Sequence, residues 1–538
     1  MEPTHENKAE TPSYTRLLVA IGILAALYVA ALAQGWPQRG TAAVVASSGE
    51  HDAAQAGPEQ AAEPKHADEA EHGAGHGPLT PPPLVMIVPF VLLLGAIAIC
   101  PLLPGVAHWW EHNLNKFAIA SGLAILTLLY YLLFHEHAVA GHFPAHHAVA
   151  HAADGPNLAA TWAVFANAML SEFIPFIVLL FSLYSISGGI RLEGDLRAHP
   201  LTNTAFMAVG AVLASFVGTT GAAMLLIRPL LETNRERKHV RHTVVFFIFI
   251  VCNCGGCLLP TGDPPLFLGY LLGVPFLWTL VLWKEWLFVN VSLLVIYYVW
   301  DHFICYRHET ARDVARDESN VRPLRMIGLW PNGLLLLGVI ATVGLLDPSK
   351  AFPGTAWHPW IYLREVVQLG LIAVSLGMGS LAVRAANHFT FGAIIEVAAL
   401  FFGIFICMQP PLQILQTSGP SLGLTEPWHY FWATGSLSSF LDNAPTYVVF
   451  FETAKSVSAG SGLTPTVAST GVYLPYLIAV SLGAVFMGAN TYIGNGPNFM
   501  VKTIAEGSGV RMPSFFGYMV YSIAILIPLF VLTTILFL

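Results

Sequence analysis

Charge is what this chain has least of. Asp, Glu, Lys and Arg make up 10% of its 538 residues, where a soluble globular protein carries about 25%. The hydrophobic share is 55%. That balance excludes a soluble or disordered chain and leaves one built for a lipid bilayer. Cysteine is scarce too: six residues, at 100, 252, 254, 257, 305 and 407, lie in or near apolar runs, which is no disulfide framework. The run Cys252-Asn-Cys-Gly-Gly-Cys257 has irregular spacing for zinc and no second Cys or His pair nearby, so it reads as close packing by small side chains. No basic stretch interleaved with aromatics is present, so nucleic acid is not a partner. No nucleophile–base pattern or His-Glu-x-x-His helix marks an enzyme, and no cofactor is implied.

What is abundant is apolar runs. Spans are expected near 84–104, 117–134, 158–187, 284–304, 327–346, 359–383, 390–408 and 514–537. Arg16 precedes a further apolar run that ends in Ala31-Leu-Ala33. Residues 1–36 therefore fit a signal peptide or an N-terminal transmembrane anchor. Residues 37–83, rich in Ala, Glu, Gly, Pro and His, cannot build a core and are expected to be a disordered periplasmic segment.

Two further apolar runs, 243–281 and 469–505, are broken by polar stretches. One is Asn253-Cys-Gly-Gly-Cys-Leu-Leu-Pro-Thr-Gly-Asp-Pro-Pro265, the other Gly488-Ala-Asn-Thr-Tyr-Ile-Gly-Asn-Gly-Pro-Asn498. Each has an upstream companion: Ser215-Phe-Val-Gly-Thr-Thr-Gly221 and Ser439-Phe-Leu-Asp-Asn-Ala-Pro-Thr446. Matching Phe216 to Phe440 pairs Gly218 with Asp442 and Thr219 with Asn443. Matching Pro264 to Pro497 pairs Gly262 with Asn495. The two offsets are nearly equal, which argues for an internal duplication. Non-helical backbone at membrane depth must be buried in protein or line a wet cavity, and a matched pair of interrupted segments points to the binding site of a secondary transporter.

The basic loops orient the chain. Loop 188–202, the run Arg235-Glu-Arg-Lys-His-Val-Arg241 and loop 305–326 with five arginines all fall on the cytoplasmic side, provided the companion stretch 203–231 is a hairpin that enters and leaves on one face. The second hairpin, 428–456, then opens outward, and the C-terminus is periplasmic. The expected fold is an all-α polytopic membrane protein of two inverted-topology repeats, each with a re-entrant hairpin and a broken transmembrane helix. The first repeat with its leading helices spans 84–304, a cytoplasmic basic linker 305–326, and the second repeat 327–538.

The breaks and tips supply hard oxygens, which suit hard cations: Thr219, Thr220, Asn253, Thr261, Asp263, Asp442, Asn443, Thr446, Asn490, Thr491, Asn495 and Asn498. A carboxylate within the membrane is costly and usually functional. Asp263 and Asp442 are therefore the candidates for Na⁺ and for the coupling proton; the bland alternative is that each caps a helix end. Glu172 and Glu396, at comparable mid-span places in the two halves, are further proton-coupling candidates, or else structural partners of a basic group. Outside the membrane, His135, His137, His142, His146, His147 and His151 form a peripheral cluster that suits a loosely held transition metal or a solvated loop.

At these motifs, together with Gly188-Gly-Ile-Arg-Leu-Glu-Gly-Asp195 and Pro260-Thr-Gly-Asp-Pro-Pro-Leu-Phe-Leu-Gly269, the chain from about residue 84 onward resembles the bacterial sodium:proton antiporter group with a citrate-transporter-like (CitMHS-type) domain, in the ion transporter superfamily. The resemblance implies a scaffold and a moving, elevator-type transport domain, a homodimer in the bacterial inner membrane, and ion ligands at Thr219, Thr220, Asn253, Asp263, Asp442, Asn443, Asn490 and Asn495. One departure matters. The di- and tricarboxylate branch carries Ser-Asn-Thr at both tips, whereas the tips here are Gly218-Thr-Thr-Gly221 and Leu441-Asp-Asn-Ala-Pro445. An anionic Asp442 would repel a carboxylate. The expected function is Na⁺(Li⁺)/H⁺ antiport, with cation- or proton-coupled symport of citrate or a dicarboxylate as the alternative.

Overall fold

The computed structural model describes residues 14–55, 80–145, 147–149, 155–319, 321–463 and 470–538. It is predominantly helical. Six helices among the described residues are long and apolar enough to cross a membrane, or up to seven if a pair bent by 41° at Cys407–Gln409 is one span. The chain is thus a polytopic membrane protein. Its core is continuous, running through both halves and including Phe176, Phe246, Phe249, Phe405, Phe431 and Phe486, while residues such as Leu126, Val295 and Ile535 leave apolar side chains outward, the arrangement a lipid solvent selects.

Several expected spans are shorter than the apolar runs that predicted them. The run 84–104 yields a helix only over Val88–Ile99, because Pro101 and Pro104 follow and a proline removes the donor that would continue the ladder. The helix Leu329–Leu345 kinks at Trp330. Residues 359–383 are helical over Leu363–Met378 and again over Leu381–Ala386. The run 158–187 forms one continuous rod, Leu158–Ser187, with a π-helical turn at Asn167–Phe173.

After residue 158 two stretches of the chain carry a hairpin and an interrupted helix. In the first half the rod is followed by a hairpin (Pro200–Val217 and Thr219–Thr233), a broken helix (Arg241–Ile250 and Pro264–Leu271) and a long helix, Trp283–Trp300. In the second half the bent pair Gly392–Cys407 and Gln409–Ser418 is followed by a hairpin (Pro427–Ser438 and Asn443–Gly460), a broken helix (Leu474–Met487 and Gly496–Gly507) and the helix Phe515–Phe537.

The first hairpin turns on a single residue. Gly218 has φ +83° and ψ 149°, a region open essentially to glycine alone. A Cβ there would also meet the Thr261 carbonyl at 3.3 Å. Gly218→Ala is expected to cost about 1–3 kcal/mol from the backbone alone, read as a lower melting temperature of the purified protein; an unchanged melt would mean that the tip relaxes at no cost. At its base the hairpin is pinned shut. Asn203 and Asn234 exchange amide hydrogen bonds of 2.8 and 2.9 Å, and the Arg237 guanidinium donates to the Ala198 carbonyl. Residues before and after the hairpin therefore lie at the same end.

Two short antiparallel sheets accompany the helices. Val139–Gly141 pairs with His147–Val149. Arg191–Asp195 pairs with Arg322–Ile327, which joins the loop after the rod to the linker between the halves. Both loops were expected on one face, and extended segments brought to one face satisfy their backbone groups by pairing. The linker also holds a helix, Ala311–Ser319.

The N-terminal segment differs from its expectation as well. After the apolar helix Thr15–Ala33 the chain is helical again over Trp36–Gln55, where disorder was expected from residue 37. The physical reason is tertiary: Thr41 is buried and accepts a hydrogen bond from the Ile361 backbone N–H at 3.0 Å, and Tyr28 donates to the Ile361 carbonyl at 2.9 Å. Residues 56–79 lie outside the described residues.

Candidate functional site

The tips of both hairpins and the breaks of both interrupted helices meet at one carboxylate, that of Asp263. Thr219 Oγ1 donates to Asp263 Oδ1 at 3.0 Å, Asn495 Nδ2 to the same oxygen at 3.1 Å, and Asn443 Nδ2 to Oδ2 at 2.7 Å. The three donors come from the first tip, the second break and the second tip. Asp263 is 1% exposed, so its charge is held by these bonds and by the N-terminus of Pro264–Leu271, which it precedes.

A ring of amides surrounds it. Asn253 Nδ2 donates to Asn498 Oδ1 at 2.7 Å, and Asn495 Nδ2 also reaches the Cys252 carbonyl at 3.1 Å and Asn253 Oδ1 at 3.3 Å. Asn498 Nδ2 donates to the carbonyls of Gly488 and Thr491 at 2.8 and 2.9 Å. Two acceptors stand out. Asn443 Oδ1 and Asn490 Oδ1 are buried, and no donor among the described residues reaches either. A buried amide oxygen without a partner is costly, and it is also the ligand type a hard cation takes.

Both breaks are held by the serine before the tip phenylalanine. Ser215 Oγ donates to the Gly255 carbonyl at 2.6 Å and accepts from Leu258 N–H at 3.1 Å. Ser439 Oγ donates to the Met487 carbonyl at 3.1 Å and accepts from Asn490 Nδ2 at 2.9 Å. Within each break the chain folds back tightly. A Cβ on Gly262 would fall 2.3 Å from the Gly256 carbonyl, and one on Gly494 would fall 2.6 Å from that of Gly488. The glycine pairs are equally spaced, so Gly262 matches Gly494 and Asp263 matches Asn495. Backbone angles agree: φ −142°, ψ 141° at Asp263 and φ −153°, ψ 140° at Asn495, each the residue preceding a helix. This shifts by one the pairing of Gly262 with Asn495 drawn from the prolines, because Pro264 is the first residue of its helix and Pro497 the second.

The other predicted residues fall as follows. Thr261 Oγ1 donates to the Phe216 carbonyl at 3.2 Å, Thr491 Oγ1 donates to the Ser439 carbonyl, and Thr446 Oγ1 to the Asp442 carbonyl at 3.0 Å. Thr220 lines a pocket of about 90 Å³ together with Gly218, Thr261 and Asp263. Asp442 caps its helix, accepting from Ala444 N–H at 3.1 Å. None of the hydrogen bonds at Asp263 involves Glu172, which sits on the π-helical turn with a buried Oε2 that no donor reaches among the described residues.

Glu396 stands apart. It accepts a hydrogen bond from Lys116 Nζ at 2.6 Å and is 44% exposed, an ion pair between two helices. The Lys116 end of the pair is buried, so removing the carboxylate would leave a buried ammonium short of its partner, which costs more than breaking a surface pair. Glu396→Gln is expected to leave ion coupling intact and to lower the melting temperature by several degrees; loss of coupling in a well-folded Glu396→Gln protein would put the proton site there after all.

The peripheral histidines do not gather into a metal site among the described residues. His135 packs on Tyr131 with ring centroids 5.1 Å apart, and His147 Nδ1 bonds the Ala145 carbonyl at 2.8 Å. His146 and His151 lie outside the described residues. The one His/Cys/Asp/Glu group among them with ligand atoms close together is His242, Asp301 and Cys305. Its carboxylate is taken: Arg237 donates to both oxygens, His242 Nε2 lies 3.0 Å from Oδ1, and Tyr297 donates to Oδ2 at 3.0 Å. A guanidinium in that position opposes a metal ion.

Sequence reasoning missed the tip serines as holders of the breaks, although Ser-Phe recurs in both motifs. It also missed Arg384, which is fully buried. Arg384 donates to the Ser185 carbonyl at 2.6 Å, the Ser375 carbonyl at 3.2 Å and Ser375 Oγ at 2.6 Å.

A polytopic helical chain whose polar groups converge where membrane helices break has the construction of a transporter rather than an enzyme. The chain belongs to the CitMHS_2 family, described as "Putative citrate transport", whose model matches residues 80–152 and 146–538. No curated protein matches it.

Proposed function

We propose that this protein is a cation-coupled carrier of multiply charged organic anions, citrate first among them, with Asp263 binding the coupling Na⁺ or H⁺. The observation that carries this reading is the Asp263 carboxylate, on which both tips and the second break converge. A cation there would find a full negative charge, with Asn443 Oδ1 and Asn490 Oδ1 as further oxygens in the network. The family supplies the anion. The positions of Asp263 and Asn495 ahead of equivalent helices and the equivalent roles of Ser215 and Ser439 support an internal duplication. We further read the two halves as inverted repeats with re-entrant hairpins, working as an elevator-type homodimer in the bacterial inner membrane, with the C-terminus periplasmic.

Na⁺(Li⁺)/H⁺ antiport is the second reading, with Asp263 shared between cation and proton. It is favoured by the make-up of the network: amides, hydroxyls and a carboxylate, with no cationic side chain bonded to Asp263 among the described residues. Proteoliposomes separate the two. Under symport, addition of Na⁺ or Li⁺ alone moves no protons and labelled citrate accumulates only with a cation gradient. Under antiport, Na⁺ or Li⁺ moves protons with no organic anion present.

A further inference from the structure

At the base of the first hairpin lies a cavity of about 1100 Å³. Eight Arg or Lys side chains line it against two carboxylates, Glu193 and Glu232. Some of this charge is answered within the protein. Arg237 is held by Asp301, Arg322 by Glu232 at 3.0 Å and Arg191 by Glu193 at 2.6 Å. Arg235 lies 3.8 Å from the Glu232 carboxylate that Arg322 already occupies. Arg241 lines the cavity and donates its Nε to the Arg511 carbonyl at 2.7 Å, which fixes the first broken helix to the end of the second. Arg228, half-buried on the second arm of the hairpin, makes no ion pair or hydrogen bond among the described residues. Arg322 also lies 3.9 Å from Asp195, so Arg228, Arg241 and Arg511 are the three that bring uncompensated positive charge to one concavity, from three parts of the chain. Like charges gathered in a cleft raise the local concentration of counter-ions of opposite sign, and guanidinium groups take oxyanions in bidentate fashion.

The cavity and the Asp263 pocket lie along the same hairpin arm. Its wall includes Met224 and Leu225 of the hairpin arm. The small pocket at Asp263 is lined by Gly218, Thr219, Thr220 and Gly221 of the same arm. About one helical turn, roughly 5 Å of rise, separates the two linings, and Arg228 follows Met224 by one more turn.

We propose that this cavity is a binding site for a multiply charged oxyanion, a polycarboxylate or a phosphate, with Arg228 as its innermost ligand and Arg241 and Arg511 around it. It is a second site, distinct from the Asp263 network, and an anion held there stands on the approach to that network. Because several guanidinium groups act together, affinity rises with ligand charge. Citrate binds more tightly than a dicarboxylate, and acetate binds weakly. Affinity also falls as salt screens the cavity.

The test is equilibrium titration of the purified full chain with citrate, inorganic phosphate and acetate, in nanodiscs of phosphatidylcholine alone. Asp263→Asn carries the same titration without the central carboxylate. The expected result is that citrate or phosphate binds both the wild type and Asp263→Asn. Arg228→Gln weakens that binding about tenfold, the equivalent of about 1.4 kcal/mol, while Arg228→Lys keeps it within about threefold. A parallel arm asks for the lipid source of the same chemistry: phosphatidylglycerol retained by the wild type and lost from Arg228→Gln supports the site with a headgroup as its occupant. The proposal is overturned if no multivalent anion or anionic lipid binds, if acetate binds as well as citrate, or if Arg228→Gln binds as the wild type does. Loss of transport in Asp263→Asn with anion binding kept separates this site from the transport reading.

Discussion

Asp263→Asn is expected to abolish coupled transport while the protein stays folded. The substitution keeps shape and removes charge. Asn443 Nδ2 donates to one oxygen of Asp263 at 2.7 Å, and its own Oδ1 has no donor among the described residues. Rotation of the Asn443 amide would therefore present an acceptor to the new side-chain amide at position 263, and Thr219 and Asn495 keep an oxygen to bond. What cannot be recovered is the attraction for a cation: about 4 kcal/mol for a charge at about 4 Å with an effective dielectric of about 20. A loss of at least about a hundredfold in gradient-driven uptake follows. Thr219→Val, which removes one neutral donor, should cost far less, about tenfold or below. Labelled uptake into proteoliposomes checks both, with size-exclusion profiles to confirm folding. Wild-type coupling in Asp263→Asn would remove this residue from the transport site.

The largest expected effect on stability lies elsewhere. Arg384→Met should deplete folded protein and lower its melting temperature by many degrees. Arg384 is fully buried and pairs with no carboxylate among the described residues. Its Nη1 meets the Ser185 carbonyl and its Nη2 the carbonyl and hydroxyl of Ser375. These carbonyls lie in the last turns of Ile174–Ser187 and Leu363–Met378, where helices leave acceptors without partners and the dipole favours a cation. One side chain therefore closes two helix ends. The Ser375 carbonyl keeps the Gly379 N–H at 2.9 Å, so one acceptor, that of Ser185, is orphaned at about 1–3 kcal/mol; with the lost bonds to Ser375 the change amounts to roughly 2–4 kcal/mol. Lysine should not rescue, because an ammonium cannot span both ends as the planar guanidinium does. Fluorescence-detected gel filtration and thermal melts read the outcome, and a wild-type melt for Arg384→Met would show that water replaces the guanidinium at no cost.

What was legible in the sequence is what local chemistry encodes. Glycine and proline clusters at 253–265 and 488–498 announce breaks wherever they stand, and the hairpin tips follow from motifs of a few residues. Asp263 was legible for the same reason, since a carboxylate inside an apolar run has few bland explanations. Its rank against Asp442 was not. Both sit ahead of a helix, and only the fold decides that Asp442 bonds its own helix while Asp263 meets three partners from distant segments. The pairing of Arg191–Asp195 with Arg322–Ile327 was hidden because each strand is a short polar loop by itself. Glu396 looked like a match for Glu172 by position, but its environment is set by Lys116, far away in sequence on another helix. The helix at Trp36–Gln55 has almost no local signal and takes its contacts from residues 359–361.

The most direct test of the central claim is labelled citrate uptake into proteoliposomes, wild type beside Asp263→Asn, under an imposed Na⁺ gradient and then a pH gradient. Accumulation is expected in the wild type with at least one gradient, with collapse when that gradient is dissipated, and none in Asp263→Asn. Uptake independent of both gradients, or equal in the two proteins, would contradict it.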